Sequence, residues 1–243
     1  MASYHLSIKS GKKGKASDHA AYIAREGRYG KNDKGHDLIA KEHGNLPDWA
    51  KDNPALFWKM ADENERINGA AYREYELALP RELTLVQQQA LLREFINSEI
   101  GDKPYQFAVH SPAAALGGNA QPHAHIMLSD RKPDGINRSP DQHFKRFNPT
   151  RPEAGGCKKD SGGKDRGTLK NELVTRREKW AALQNSYLEK HGHTARVDHR
   201  SNRERGLSVE VERHLGHVGI KKMSADEKKS YLDKRLGKTV AVE

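Results

Sequence analysis

Hydrophobic and polar positions alternate along the chain with two periods, which together predict a mixture of strands and helices. Residues 4–9 (Tyr-His-Leu-Ser-Ile-Lys) alternate apolar and polar side chains, as expected of a strand with one buried face. Residues 72–79, 105–110 and 123–129 are predicted to be three further strands. The segment between 30 and 44 is polar, and we expect a loop there.

Apolar residues at three- and four-residue spacing predict the helices. The first is expected from a Ser17 or Asp18 cap to about Gly27, and the second from Asn53-Pro54 to near Gly69. Later helices begin at Thr84, at Thr168 and at a capping box starting with Ser224. The order β-α-α-β-α-β-β-α predicts an α+β fold: a central antiparallel sheet with helices packed on one face, followed by C-terminal helices.

Charge and cysteine content narrow the class of protein. The 243 residues carry a formal net charge of +10, and their basic residues are spread along the whole chain. Such a surplus favours a polyanionic partner, most simply a nucleic acid. Cys157 is the only cysteine, which excludes an internal disulfide and a thiolate metal site. No apolar run approaches the ~20 residues of a membrane span, and no signal peptide is recognisable, so we expect a cytoplasmic protein.

Three histidines on two neighbouring predicted strands are the first candidate for chemistry. His123 and His125 share one face of a strand, whereas Ala124 and Ile126 face the core, and His110 ends the preceding strand. Three imidazoles can hold a divalent metal and leave positions for a substrate. Imidazoles suit Zn²⁺, Mn²⁺, Co²⁺ or Ni²⁺, and Mg²⁺ or Mn²⁺ can also serve if phosphate and water complete the shell, so the sequence does not choose the metal. The competing interpretation is that these are ordinary exposed strand residues.

Tyr22 on the first predicted helix is a candidate nucleophile. Arg25 and Glu26 follow three and four residues later and share its side of the helix. A tyrosine oxygen can attack phosphorus when a metal polarises the phosphate and a base or a cation favours the phenolate. Tyr22 could instead pack between helix and sheet, and Tyr29 and Tyr4 are rival nucleophiles that spacing does not dismiss.

Glu74 and Glu76 share one face of the predicted strand at 72–79. If this strand borders the histidine strands, one of the two glutamates can take the tyrosine proton or orient a metal-bound histidine. The competing interpretation is a solvated strand face. The sequence does not choose between the two carboxylates.

Basic segments interleaved with aromatic residues are candidate nucleic-acid contacts. Phe144, Phe147 and Trp180 lie near several of them, and such mixtures suit single strands, with cations on phosphates and rings beneath bases. Any single segment could be only a solvated surface. The candidate DNA-binding residues are Lys12, Lys13, Arg25, Arg73, Arg131, Lys145, Arg146 and Arg200.

Several motifs in order make the chain resemble the MobA/MobL family of plasmid relaxases, part of the wider HUH endonuclease group. The motifs are Tyr-His-Leu at 4–6, Tyr-Ile-Ala-Arg-Glu-Gly at 22–27, Glu-Leu-Ala-Leu-Pro at 76–80, Pro-His-Ala-His at 122–125, Phe-Lys-Arg-Phe-Asn at 144–148 and Ala-Arg-Val-Asp-His-Arg at 195–200. The resemblance extends to about Gly216 and implies the palm-like two-layer sandwich of such nicking domains. We therefore expect a relaxase domain over 1–216, with a mobile basic loop at 150–167, and a charged helix or tail over 217–243.

The resemblance implies site- and strand-specific nicking and rejoining of DNA at a plasmid origin of transfer. Tyr22 would attack the scissile phosphate and remain joined to the 5′ end as a phosphotyrosine. The three histidines would bind the metal, and Glu74 or Glu76 would be the acidic residue near the tyrosine. The implied partners are single-stranded transfer-origin DNA with its hairpin arm, accessory relaxosome proteins and a type IV secretion coupling protein, and the covalently bound protein could be translocated with the DNA.

Two alternative functions are also compatible with these sequence features. A rolling-circle replication initiator would use the same chemistry, but such initiators usually place the histidine pair before the tyrosine, whereas Tyr22 precedes all three histidines. A non-catalytic, basic DNA-binding accessory protein would use the histidines for a structural metal and would form no covalent adduct.

Overall fold

The computed structural model describes residues 4–30, 37–208 and 215–240. One antiparallel sheet has the strand order β1-β3-β5-β4-β2, which confirms the predicted α+β class. Its strands are β1 (Leu6–Lys12), β2 (Leu38–Gly44), β3 (Ala70–Ala78), β4 (Tyr105–His110) and β5 (His123–Leu128). The helices are α1 (Ala16–Ile23), α2 (Pro54–Asn64), α3 (Leu85–Glu99), α4 (Pro140–His143), α5 (Arg166–Lys190), α6 (Gly216–Lys222) and α7 (Ala225–Val240).

The strand β2 shows that the predicted loop between 30 and 44 was wrong at its C-terminal half. β2 is an edge strand that pairs only with β4, and its side chains alternate between half-buried and exposed. Edge strands tolerate charged residues, so the polarity of this segment concealed its extended conformation. Glu42, for example, accepts hydrogen bonds from Arg93 of α3 at 2.6 and 3.0 Å. The remainder of the predicted loop, 31–36, lies outside the described residues.

The first helix begins earlier than predicted, at Ala16, and also ends earlier, at Ile23. Its N-terminal amides are satisfied by a residue of α2 rather than by Ser17 or Asp18: the Asp62 carboxylate accepts from the amides of Gly14, Ala16 and Ser17 at 2.7–2.9 Å. A carboxylate there also interacts favourably with the helix dipole. The helix ends at Ile23 because Arg25 adopts the left-handed conformation, with φ +52°. The second helix likewise ends at Asn64, before the predicted Gly69.

Helices cover both faces of the sheet, not only one as predicted. On the first face, α3 and α5 bury Phe107 and Ile126, and the rings of Phe95 and Trp180 meet edge to face at 4.9 Å. Trp180 is thus a core residue rather than a base-stacking platform. We call this side the α5 face.

On the second face, α1 and α2 pack with Phe57 and Trp58 over Ala108 and Met127. Ala108 and Met127 make this face apolar beside the histidines, and the two short helices remove that apolar surface from water. Phe144 belongs to the same core and is likewise unavailable for base stacking. We call this side the histidine face.

The chain forms two compact units, Met1–Ser111 with Pro122–His199, and Pro112–Gln121 with Arg200–Glu243. The second contains α6 and α7, and the predicted capping box at Ser224 is confirmed by its reciprocal hydrogen bonds with Glu227. In the first unit, the segment 150–167 contributes buried residues at 155–157. The boundary at 216 and the mobility of this segment stay predictions. Among the described helices, none has the length and apolar character needed to cross a membrane.

Candidate metal and tyrosine site

The strand order brings the three predicted histidines together on the histidine face. β5 lies between β3 and β4, and the register pairs His123 with His110 across the sheet. The three imidazole centroids, including that of His125, are 5.2–5.6 Å apart, and one ligand atom from each lies within 4.8 Å of the others. His110 is buried and the other two are half-buried. A set of three nitrogen donors with one open side fits a divalent metal that also binds substrate.

The carboxylate beside the histidines is Glu74, whose side chain is buried. Its Oε1 accepts a hydrogen bond from His125 Nδ1 at 2.7 Å. The Nε2 of His19 lies 2.9 Å from the same oxygen, at ion-pair distance but with poor hydrogen-bond alignment. Burial opposes ionisation, but the contacts with the two histidines hold the pKa of the Glu74 carboxyl well below its usual range. A carboxylate that fixes Nδ1–H of His125 leaves Nε2 available as a metal ligand.

Glu76 has a different partner. It pairs with His125 in the register of the sheet, but its carboxylate accepts a hydrogen bond from Lys9 Nζ at 2.6 Å. Burial raises the pKa of Glu76, and the Lys9 ammonium outweighs this effect and lowers it. The structure therefore brings Glu74, and not Glu76, into hydrogen-bond contact with the histidine cluster.

Tyr22 occupies the last turn of α1, at the edge of this cluster. The residue is 36% exposed, with the Arg25 guanidinium 4.8 Å above its ring and the Tyr29 ring edge-on at 5.3 Å. The next residue, Ile23, accepts a hydrogen bond from His110 Nε2 at 2.7 Å. The end of α1 that carries Tyr22 is therefore tied directly to one of the three histidines.

The two rival tyrosines are engaged elsewhere. The Tyr29 hydroxyl donates to Asp18 at 2.9 Å and accepts from Arg28 at 2.7 Å. Tyr4 packs against the core of the α5 face, and its hydroxyl donates to the carbonyl of Arg177 at 3.0 Å. Burial raises the pKa of Tyr4 to about 12, which disfavours the nucleophilic phenolate. The sheet thus separates Tyr4 from the histidines.

Two residues of the site were missed by the sequence analysis. His19 lies three residues before Tyr22 on α1, and its ring stacks on Tyr72 with centroids 5.1 Å apart and planes 12° apart. The i, i+3 spacing from Tyr22 was an available signal. Asp37 receives hydrogen bonds from Arg25 at 2.9 and 3.0 Å. Nothing in the local sequence marks Asp37, because its contact depends on how the chain returns after α1.

One candidate DNA-binding residue is buried in an ion-pair network instead. Arg131 is 3% exposed, and its Nη2 lies 2.9 Å from Glu65 Oε2. The same guanidinium donates to the carbonyls of Phe144, Lys145 and Cys157. With its donors committed to protein acceptors, Arg131 holds the chain around Cys157 against the C-terminal end of α2. The prediction of a DNA contact at Arg131 is therefore wrong, and the residue is structural. Cys157 is buried within this network.

The other basic candidates occupy three settings. Arg73 lines a cavity on the α5 face and binds Asp130 at 3.0 Å, so it lies across the sheet from the histidines. Lys13 donates to the carbonyl of Glu63 at 3.0 Å. The exposed candidates in the first unit are Lys12, Lys145 and Arg146, with Lys145 3.1 Å from Asp141; Arg200 is exposed in the second unit.

Comparison with known proteins identifies relatives in sequence. The model of the MobA/MobL family matches residues 19–225. A 43 kDa relaxation protein of Salmonella typhimurium is 54% identical over 211 residues, covering 86% of this chain and 57% of the relative. Mobilization protein A of Escherichia coli is 40% identical over 221 residues, covering 89% of this chain and 30% of the relative. The chain thus spans little more than half of one of these proteins and less than a third of the other.

A solved structure shares the fold. It is described as "Molecular Basis of Vancomycin Resistance Transfer in Staphylococcus aureus" and superposes with a TM-score of 0.59 at 22% sequence identity. The superposition covers 82% of this chain and all of the other chain. The antiparallel sheet and its flanking helices are therefore an arrangement that another solved protein also adopts.

Proposed function

Because the chain belongs to the MobA/MobL family, we propose that it nicks and rejoins one strand of DNA at a plasmid origin of transfer. The family membership is the one that the sequence motifs predicted. The observation that carries the proposal is the direct hydrogen bond between the last turn of α1, which holds Tyr22, and the histidine cluster. A nucleophile and a set of metal ligands at one place are what phosphodiester transfer requires.

In the proposed reaction, the Tyr22 oxygen attacks the scissile phosphorus after losing its proton. The bond from phosphorus to the 3′ oxygen breaks, and this oxygen takes up a proton to become a 3′-hydroxyl. The segment that begins at the new 5′ end keeps the phosphate and stays joined to Tyr22 as a phosphotyrosine diester. Because one phosphodiester replaces another, attack by a 3′-hydroxyl can reverse the step without ATP.

The histidine cluster would hold a divalent metal, and we propose Mn²⁺ or Mg²⁺. When bound, the metal neutralises the non-bridging phosphate oxygens and favours in-line attack. Glu74 orients His125 through its Nδ1 hydrogen bond.

The proposed substrate is single-stranded DNA of the transfer origin. Lys12, Lys145 and Arg146 are exposed and can reach phosphates. We further propose that the protein acts in the cytoplasm with accessory relaxosome proteins and a type IV secretion coupling protein. These partners and this location follow from the family and not from any surface described above.

The test of the proposed function is covalent capture. The chain is incubated with Mn²⁺ or Mg²⁺ and single-stranded oligonucleotides from the transfer origin of its own replicon, then denatured in SDS. We expect a protein–DNA adduct with one strand and none with its complement or with metal removed by chelation. If no adduct forms, the proposed nicking activity is contradicted, and a non-catalytic DNA-binding accessory protein is favoured. An adduct only with the replication origin would favour the rolling-circle initiator.

Glu74→Gln and Glu76→Gln are expected to differ although both remove one carboxylate from the same strand face. Glu74→Gln should lower Mn²⁺ affinity or the rate of adduct formation by about 10- to 100-fold, the usual effect of losing a carboxylate that orients a metal-bound histidine. Glu76→Gln should stay close to wild type because its partner is Lys9. Calorimetric Mn²⁺ titration and adduct kinetics measure both. Equal losses, or a loss confined to Glu76→Gln, would contradict the assignment of Glu74.

A further inference from the structure

Arg25 occupies the nitrogen of His110 that a metal would need. The Nε2 of His110 lies 2.7 Å from the carbonyl oxygen of Ile23, and since a carbonyl only accepts, Nε2 carries the ring hydrogen. The other nitrogen, Nδ1, is then an acceptor, and Arg25 Nη2 donates to it at 2.9 Å. Both nitrogens of His110 are engaged. His125 differs because its Nδ1 faces Glu74 and its Nε2 stays available.

Several contacts hold the guanidinium at this place. Asp37 receives its Nε and Nη2 hydrogens in a two-pronged pair at 3.0 and 2.9 Å, and the carbonyl of Tyr22 receives Nη1–H at 2.7 Å. Only 7% of the Arg25 side chain is exposed. Its backbone has φ +52°, which costs energy in a residue other than glycine and persists where surrounding contacts impose it. Arg25 is therefore built into the site rather than resting on its surface.

We propose that Arg25 is a displaceable cation that competes with the divalent metal for His110 Nδ1. A metal bound there requires the guanidinium to leave, because two cations cannot share one lone pair. The guanidinium has the donor geometry that binds phosphate oxygens. Once metal binding has released it, it would be free to bind a phosphate near the end of α1 that carries Tyr22. This inference rests on the metal site of the proposed function and adds a residue that opposes metal binding until it moves.

The test is calorimetric titration of the full chain with Mn²⁺ in the absence of DNA. Arg25→Met should bind Mn²⁺ about tenfold or more tightly than wild type, because a neighbouring positive charge and a competing donor are both removed. Arg28→Met is the matched control: Arg28 lies three residues further on, contacts Asp18 and Tyr29, and should leave Mn²⁺ affinity unchanged. Arg25→Met/Asp37→Asn removes one charge of each sign. If the double variant also binds Mn²⁺ more tightly than wild type, the cause is the release of His110 Nδ1 and not the change in net charge.

Each outcome bears on the proposal. The proposal is overturned if folded Arg25→Met binds Mn²⁺ no more tightly than wild type. It is also overturned if the increase in Mn²⁺ affinity disappears in the double variant. If Arg25→Met does not fold, titration of the wild type with diamagnetic Zn²⁺ should shift the NMR signals of Arg25 Nε–H and His110 Nδ1 together. An unchanged Arg25 signal overturns the proposal. Wild type that binds no metal contradicts the metal site itself, whereas normal wild-type binding without a gain removes only the role of Arg25.

Discussion

Tyr22→Phe is expected to abolish the covalent adduct and to lower nicking by at least about 10³-fold, because phenylalanine keeps the ring but has no nucleophilic oxygen. The ring contacts with Arg25 and Tyr29 do not need the hydroxyl, so the fold and DNA affinity should stay near wild type. The measurement is adduct yield and strand cleavage with a 5′-labelled and a 3′-labelled transfer-origin oligonucleotide, beside DNA binding by fluorescence anisotropy.

Tyr29→Phe is the matched control for this loss. Its hydroxyl is bonded to Asp18 and Arg28, and its removal should leave adduct formation within a few-fold of wild type. An adduct that persists in Tyr22→Phe and disappears in Tyr29→Phe would transfer the nucleophile to Tyr29. Tyr4→Phe provides a second comparison on the opposite side of the sheet.

Arg131→Met is expected to lower the free energy of unfolding by about 3 kcal/mol, since it removes the guanidinium from a buried carboxylate and leaves Lys159 as the remaining cation beside it. Glu65 is 2% exposed. Burial raises the pKa of its carboxyl, but Arg131, the backbone amide of Arg66 and Lys159 together outweigh burial and hold that pKa below its usual range. The carbonyls of Phe144, Lys145 and Cys157 would also lose their common donor. Denaturant unfolding at neutral pH measures the effect.

Arg146→Met is the control, because Arg146 is exposed and its replacement should change stability by no more than about 0.5 kcal/mol. The two variants should also separate in DNA binding, where Arg146→Met is expected to weaken affinity at low salt. A stable Arg131→Met chain with weakened DNA binding would restore Arg131 as a DNA contact and refute its structural role.

The histidine cluster was predictable because it depends on the alternation of side chains along a strand, which is a local property of the sequence. Residues two apart share a face, so His123 and His125 had to point the same way, and pairing with the preceding strand, which ends at His110, was the simplest arrangement. The assignment of Glu74 over Glu76 was not predictable. Both glutamates share a face, and only the positions of Lys9 and His19, set by strand order and by α1, distinguish them.

Other parts of the site depend on contacts distant in sequence. Asp62 caps α1 from α2, and Asp37 meets Arg25 only after the chain has returned, so neither contact leaves a local pattern. Arg131 was predicted to contact DNA because it is a basic residue in a basic chain. Its role depends instead on an ion pair with the buried Glu65 carboxylate, which net charge does not reveal. The strand β2 was missed because an edge position removes the alternation of strong hydrophobic residues on which strand prediction depends.

The histidines of β5 and Tyr22 of α1 lie on elements that differ in how easily they open. Both edges of β5 are hydrogen-bonded, to β3 and β4, so the backbone of His123 and His125 can be released only by disrupting the sheet itself. Tyr22 lies instead in the last turn of an eight-residue helix, where opening breaks few hydrogen bonds. Fraying of that turn would break the hydrogen bond between Ile23 and His110 and move Tyr22, while the sheet hydrogen bonds that hold His123 and His125 stay intact. The sheet therefore fixes the backbone of two histidines, whereas Tyr22 lies on a short helix that can open locally.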